Sequence, residues 1–383
     1  MNKFKKFFAV LLAALLIITA AGCGTKPTWS YKTDNVSFAE GVYIYSLFSA
    51  YNEAYSILQE TMGDKFDATA SILDITSDFD GNGEKVLCSD WVETQADIIT
   101  KNLAALDEAI IEHGITLDKT QVESARELAK EDWYLGPYYE YYVASGYEAV
   151  SYEETLSPYG ISFDSFFTST YLASVKQSAI FNYIYGKGGE LEVTDEELTK
   201  YFTDNYTSYA YFVVNLYETA IDSETSQQVY YPYSDELIKG VEKELADYAK
   251  LINSGTAYSE IKYKYMKAHN LTTDPTVKNI EILEGSALGK EVLDALKELK
   301  EGKATYLRVG SGDTSVMYFI TKFDIESEAK DYLSSDGHRQ TLIQNLKSED
   351  FSDYLNDITD NVNVEVNEDV IEKYDPAMFE KNL

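Results

Sequence analysis

Residues 162–215 read SFDSFFTSTYLASVKQSAIFNYIYGKGGELEVTDEELTKYFTDNYTSYAYFVVN, and the fold is decided here. Ser162 is a natural N-cap, because a serine hydroxyl can accept from an orphan amide at a helix start. Phe163, Phe166, Phe167, Tyr171, Val175, Ala179 and Tyr183 follow at steps of three and four, which predicts one long helix with these residues on one face. Gly186, Gly188 and Gly189 end it, since glycine tolerates the left-handed backbone of a helix terminus. Thr194 and Glu197 then form a T-x-x-E capping box. YAYFVVNLY, from Tyr209 to Tyr217, is too short for a buried helix and rich in β-formers, so it reads as a strand. Helical text lies before this junction and mixed text after it, so two domains are expected to meet here.

Toward the N-terminus, WSYKTDNVS (Trp29–Ser37) reads as a strand and turn. Ser37 to Glu40 reads as a second capping box, opening a helix whose apolar face carries Val42, Tyr45, Phe48, Tyr51, Tyr55 and Leu58. DFDGNG at 78–83 imitates the start of a calcium loop, but the twelfth position is Ser89 where the loop needs an acid, so a polar loop is expected and no metal is assigned. A helix runs from about Ser89 to His113 and closes at Gly114; another runs from Asp118 into WYLGPYYEYY, where Pro137 breaks it. The tyrosines at 134, 138, 139, 141, 142 and 147 have two readings: core residues with a wet hydroxyl edge, the commoner case, or an aromatic surface for unfolded peptide. Tyr138, Tyr139, Tyr141 and Tyr142 are the binding candidates under the second reading.

Beyond the junction, helices are expected over Ser234–Ser254, Tyr258–Ala268 and Lys290–Leu299, the last ending at Gly302. Two strands follow, Ala304–Val309 and Ser315–Phe323, joined by a Gly-Ser-Gly-Asp turn. Strand, helices and strand–turn–strand make a small α+β domain. Leu342, Ile343, Leu346, Tyr354, Leu355 and Ile358 then mark further helix, followed by a short VNVEV strand and a tail. The expected fold class is α+β and mostly α, a helical domain interrupted by a small inserted one. The expected boundaries are 1–23 leader, 24–193 helical, 194–328 inserted domain and 329–383 return to the helical domain.

The leader has Lys3, Lys5 and Lys6, an apolar run from Phe7 to Ile18 and small residues ending at Cys23, the pattern of a secretory signal. Ala20-Ala21-Gly22-Cys23 resembles a lipobox with Ala20 where leucine is usual, which marks Cys23 for lipidation. Cys88 is the other cysteine of the two, so lipidation of Cys23 leaves no intramolecular disulfide. Loss of three leader lysines would take the net charge from −33 to −36. Such acidity argues against nucleic acid and anionic lipid headgroups as partners. It suits either a merely solvated surface or attraction to basic unfolded polypeptides or cations. There is no G-x-S-x-G and no H-E-x-x-H, so a hydrolase has no support.

Taken in order, several phrases resemble the PrsA/SurA-type extracytoplasmic foldase lipoproteins of Gram-positive bacteria, which carry a parvulin-type peptidyl-prolyl isomerase domain. AEGVYIYSLFSAYNEAY after WSYKTDNVSF is similar to the opening of their chaperone domain, and GKGGELEVTDEELTKYFTDNY to the link into the parvulin domain. LIKGVEKELADYAKLINSGTAYSEI resembles the parvulin helix pair, KEVLDALKELKEGKATYLRV with SVMYFITKFD its closing helix and strands, and VEVNEDVIEKYDP the tail. The resemblance implies a chaperone or foldase on the outer face of the bacterial cytoplasmic membrane, held only by the lipid anchor. Unfolded or newly secreted polypeptides would be its partners, with no nucleic acid and no cofactor, and a homodimer is left open. Parvulins carry histidines in the first and last strands; here Tyr211 and Tyr318 stand in those places, and His113, His269 and His338 match neither. The glycine-rich pocket turn is not visible around Lys278 to Leu288 either. The resemblance therefore implies a degenerate pocket at Tyr211 and Tyr318, with weak or absent isomerase activity. The alternative, a solute-binding lipoprotein of a transporter, needs repeated βα units, which the continuous helical periodicity of residues 37–205 does not supply.

Overall fold

The first two described strands and the last one share one small sheet. In the computed structural model, which describes residues 28–223 and 225–380, β1 (Trp29–Lys32) pairs antiparallel with β2 (Ser37–Ala39) on one side and with Glu365–Val366 on the other. The leader 1–23 and Cys23 lie outside the described residues. Two compact units are formed, one by the chain up to Glu192 together with Ser348 onward, the other by Val193–Lys347.

In the first unit, α1 (Glu40–Met62) follows β2 directly. The expected capping box at Ser37 is absent: the N-cap is Ala39, with no side-chain cap. Ser37 is committed to the ladder opposite Lys32, and the Glu40 amide is instead satisfied by the Thr28 carbonyl at 3.0 Å. The first half of α1 is buried on nearly all sides, from Gly41 to Ile44 and at Ser46 and Leu47. A two-strand ladder, β3 (Thr76–Ser77) and β4 (Val86–Leu87), closes the DFDGNG loop. In this loop the Asp78 carboxylate accepts from the amides of Asn82 and Gly83 at 3.1 and 2.9 Å, and Asp80 accepts from Trp91 Nε1 at 2.8 Å. These carboxylates hold the turn together. Next come α2 (Cys88–Glu112), α3 (Lys119–Leu135, capped by Asp118), α4 (Tyr139–Ala144) and α5 (Tyr152–Leu156).

The single helix expected after Ser162 is two helices, α6 (Phe163–Ser169) and α7 (Tyr171–Tyr185). Ser162 caps the first as expected, but the backbone breaks at Thr170, at φ −119° and ψ −86°. The Thr170 hydroxyl donates to the Phe166 carbonyl at 2.6 Å, a local bond of the kind that bends helices. The break resets the helical phase. Ala173, Lys176, Ile180, Phe181 and Ile184 are buried in α7, whereas Tyr183, expected on the inner face, is exposed. Lys176 reaches across to α2, where its Nζ lies 2.5 Å from Asp107 Oδ1 with both side chains largely out of water.

The second unit opens with α8 (Asp195–Asn205), whose Thr194–Glu197 capping box is complete. β5 (Thr207–Asn215) is followed by a hairpin of β6 (Tyr217–Ile221) and β7 (Gln228–Pro232), then by α9 (Asp235–Asn253) and α10 (Tyr258–Ala268). β8 (Val277–Glu281), α11 (Lys290–Glu298), β9 (Lys303–Val309) and β10 (Val316–Lys322) complete the sheet, ordered β8-β5-β10-β9 and antiparallel throughout. The hairpin and β8 were not read from the sequence. Alternation along the strands sorts the side chains between the two faces. Phe212, Met317 and Phe319 pack with Leu245, Ala249 and Ile252 of α9 and with Ile261 and Tyr265 of α10. Tyr209 and Ile320 pack on the other face with Val292 and Leu296 of α11. After α12 (Ile325–Tyr332), the long α13 (Asp336–Asn361) contains the division between the units. β11 (Glu365–Val366) and α14 (Glu368–Ile371) return to the first unit.

The fold is thus α+β and mostly helical. Every ladder among the described strands is antiparallel, so the parallel βα lobes required by the solute-binding alternative are not built here. No helix among the described residues is long and apolar enough to cross a membrane.

The buried Lys176–Asp107 pair yields a stability prediction. Asp107→Ala leaves an uncompensated buried ammonium and is expected to destabilise by about 3 kcal/mol in urea unfolding, whereas the double change Asp107→Leu with Lys176→Met stays neutral to stabilising. The buried tyrosines yield another. Burial pushes the phenols of Tyr43, Tyr51, Tyr209 and Tyr265 up to about 12, so the fold favours their neutral form. Their contribution is fully present below the ordinary phenol value of about 10 and is lost as pH rises through the folded value. Unfolding free energy should therefore fall steeply between pH 10 and about 12, together with the rise in tyrosinate absorbance.

Candidate functional site

Two places collect the side chains singled out by the sequence, one in each unit. In the helical unit, α3 stops at Leu135 and Gly136 adopts φ 91°. A Cβ on Gly136 would collide with the carbonyl oxygen of Val150, so the backbone entering residues 137–149 touches the backbone leaving it. Such a closed excursion is an Ω-type loop. Tyr138 then takes φ 59°, a left-handed conformation that costs a residue with a Cβ on the order of 1–2 kcal/mol. The short α4, YEYYVA, buries none of its residues, and all residues from 138 to 148 are exposed. Tyr138 is 78% exposed, Tyr141 69% and Tyr147 69%. A helix of six residues has no stability of its own in water. It is held by its ends, where the Tyr142 amide donates to the Tyr138 carbonyl at 3.1 Å and the Tyr147 amide to the Tyr142 carbonyl at 2.9 Å.

The root of this loop is rigid for the opposite reason. Trp133, the last buried residue of α3, lies 6.0 Å from Phe163 and 5.5 Å from Phe166 between ring centroids, and Tyr152 lies 5.0 Å from Phe166. The Tyr171 hydroxyl donates to Asp132 one residue before Trp133. These tyrosines are not core residues: Tyr138, Tyr139, Tyr141 and Tyr142 are all exposed, above a packed base.

In the α+β unit, Tyr211 and Tyr318 come together on the α11 face of the sheet. Tyr211 lies opposite Ile320 and Tyr318 opposite Val213, and the two rings are 5.5 Å apart. The sequence did not single out Tyr209, which extends the row; its ring is stacked 6.3 Å from that of Tyr211. Its hydroxyl donates to Glu281 Oε1 at 2.5 Å and accepts from Asn279 Nδ2 at 3.1 Å, while Ser286 donates to the same carboxylate oxygen at 2.6 Å. A period of two from Tyr211 would have found Tyr209; Glu281 was out of reach because β8 was unread. Burial, then Tyr318 and Glu281, push the Tyr211 phenol upward, so at neutral pH it is a hydrogen-bonding group and not a base. The histidines lie elsewhere. His269 is bonded to Glu244 at 3.0 Å and packed on Tyr265, His338 is stacked on Tyr332, and His113 is bonded to Tyr354 in the helical unit. The face offers apolar contact, flanked by Leu283, Leu288 and Leu307, and phenol groups, with no imidazole.

No family model matches the sequence, and no curated protein matches it. Solved structures similar to the chain are those of PrsA foldases. The foldase protein PrsA from Streptococcus pneumoniae str. Canada MDR_19A is 15% identical, with 78% of this chain and 97% of that one covered and a TM-score of 0.33. PrsA from Bacillus subtilis is 12% identical, with 76% and 95% covered and a TM-score of 0.23.

Proposed function

We propose that this chain is an extracytoplasmic chaperone of the foldase type, tethered through a lipid on Cys23, that holds unfolded secreted polypeptides. The observation that carries the reading is the segment from Tyr138 to Glu148, an aromatic stretch that buries nothing and is fixed at its root. Exposed apolar patches of this kind mark interaction sites. Tyrosine suits the task because it offers large contact area with few rotatable bonds and a hydroxyl for backbone groups of any sequence. The residues that bind the client are then Tyr138, Tyr139, Tyr141 and Tyr142, and the four-stranded unit is a parvulin-like module with Tyr211 and Tyr318 in its pocket. Prolyl isomerisation requires a site that favours the twisted amide over a barrier of roughly 20 kcal/mol. Phenols in place of the histidines supply apolar packing but a poorer network around that amide, so the module contributes binding more than catalysis.

The test pairs two assays on the mature chain, residues 24–383. Aggregation of an unfolded client should be suppressed, and the triple change Tyr138→Ser, Tyr141→Ser, Tyr142→Ser should weaken suppression several-fold without moving the unfolding midpoint, since these side chains are exposed. Protease-coupled prolyl isomerase activity should stay near background and be unaffected by Tyr211→Ala or Tyr318→Ala. Substantial isomerase activity lost on either change would make the module an enzyme. Suppression undiminished in the triple variant would remove the aromatic segment from the mechanism.

A further inference from the structure

We infer that the exposed aromatic segment selects cationic polypeptide, taking extended chain in which lysine or arginine alternates with apolar residues. The inference rests on the chaperone reading and names the class of client. Its starting point is a charge asymmetry: between Lys130 and Lys176 there is no lysine, arginine or histidine, while seven acids lie in that interval. Asp132 and Asp164 are engaged by Tyr171 and Arg126. Glu140 and Glu148 stand within the exposed aromatic stretch itself, and Glu153 and Glu154 are exposed on α5, just after the loop closes at Val150.

Rings and carboxylates interleaved on one exposed segment are complementary to ammonium and guanidinium groups. The ring face attracts the cation and the carboxylate supplies the counter-charge, while the aliphatic stem covers the aromatic surface. The chain uses this chemistry at the root of the same loop. Arg126 lies 5.0 Å from the ring centroids of Phe163 and Phe167 and 2.6 Å from Asp164. Other occupants meet repulsion. A second copy docking through the same patch would set these glutamates against themselves, since an isologous contact pairs a surface with itself. Anionic lipid and acidic polypeptide would meet a chain of net charge −33.

Three labelled unstructured peptides test the inference, identical in their apolar residues and carrying lysine, glutamine or glutamate at the intervening positions. Binding to the mature chain is read by fluorescence anisotropy at low and high salt. The lysine peptide should bind about ten-fold more tightly than the glutamine peptide, and the glutamate peptide more weakly than either. The lysine preference should shrink to less than about two-fold at 0.5 M salt, where screening is strong. It should fall several-fold in the variant Glu140→Gln, Glu148→Gln, Glu153→Gln, which keeps the ring faces and its glutamine-peptide affinity. Equal binding of lysine and glutamine peptides, or a preference undiminished by the three substitutions, overturns the selectivity while leaving the chaperone reading intact. Binding of no peptide, together with loss of aggregation suppression, would overturn both. Concentration-dependent dimerisation abolished by the Tyr→Ser changes would reassign the patch to contacts between copies and overturn the inference.

Discussion

The helical unit depends on its first strand meeting its last. Tyr31 pairs with Val366 and Lys32 with Glu365; the Asn367 amide donates to the Ser30 carbonyl at 2.8 Å, and Lys32 closes an ion pair with Glu365 at 2.9 Å. These contacts join segments more than three hundred residues apart, with the whole α+β unit lying between them in sequence. Closing so long an interval costs chain entropy that grows only slowly with length, so an insertion of this size is tolerable once the ends have a reason to meet. The reason is burial: Tyr31 is almost wholly enclosed, its hydroxyl donates to Asp97 on α2, and its ring stacks on Tyr43 of α1. The two-residue strand β11 is therefore secured by what surrounds it, not by its own length.

Tyrosine serves opposite ends of this design. Tyr31 and Tyr209 are core residues whose hydroxyl groups donate to carboxylates, so a large ring is buried without leaving its polar end unmatched. Tyr138, Tyr141 and Tyr147 are the same residue type left in water on a segment pinned by Gly136 and Val150. What separates the two groups is the underlying frame. Trp133 and Phe166 are packed together and buried at the foot of the loop, while the tyrosines above them stay in water. The cost is a bulky residue held left-handed at 138, a feature that recurs where surfaces are shaped for contact.

Much of this was legible because it is local. The Thr194–Glu197 box, the Asp118 cap, the ends of α9 and α10 and the stop at Gly136-Pro137 are set by residues within one turn of the feature. The failures share a different character. Ser37 had the spacing of a capping residue, but its backbone was claimed by β1 from across the sheet. The break at Thr170 turned a single periodicity into two faces, and a continuous count of threes and fours cannot register a change of phase. β8 has just five residues and takes its place only through pairing with β5. The fate of Tyr138–Tyr142 was undecidable for a related reason, since aromatic content is equal in a core and in an exposed row, and the deciding contact is between Gly136 and Val150. The pairing of Tyr211 with Tyr318 came from a resemblance, whereas the Glu281–Tyr209 extension needed the sheet.

The central claim is that unfolded polypeptide is held on the aromatic loop. Hydrogen exchange of the mature chain with and without an excess of a permanently unfolded client tests it most directly, because it reports every amide without disturbing any side chain. New protection concentrated in residues 137–149, with the Trp133–Phe166 base already protected in both states, is the predicted result. Client-dependent protection confined to the β5 and β10 strands, or none anywhere, would contradict it.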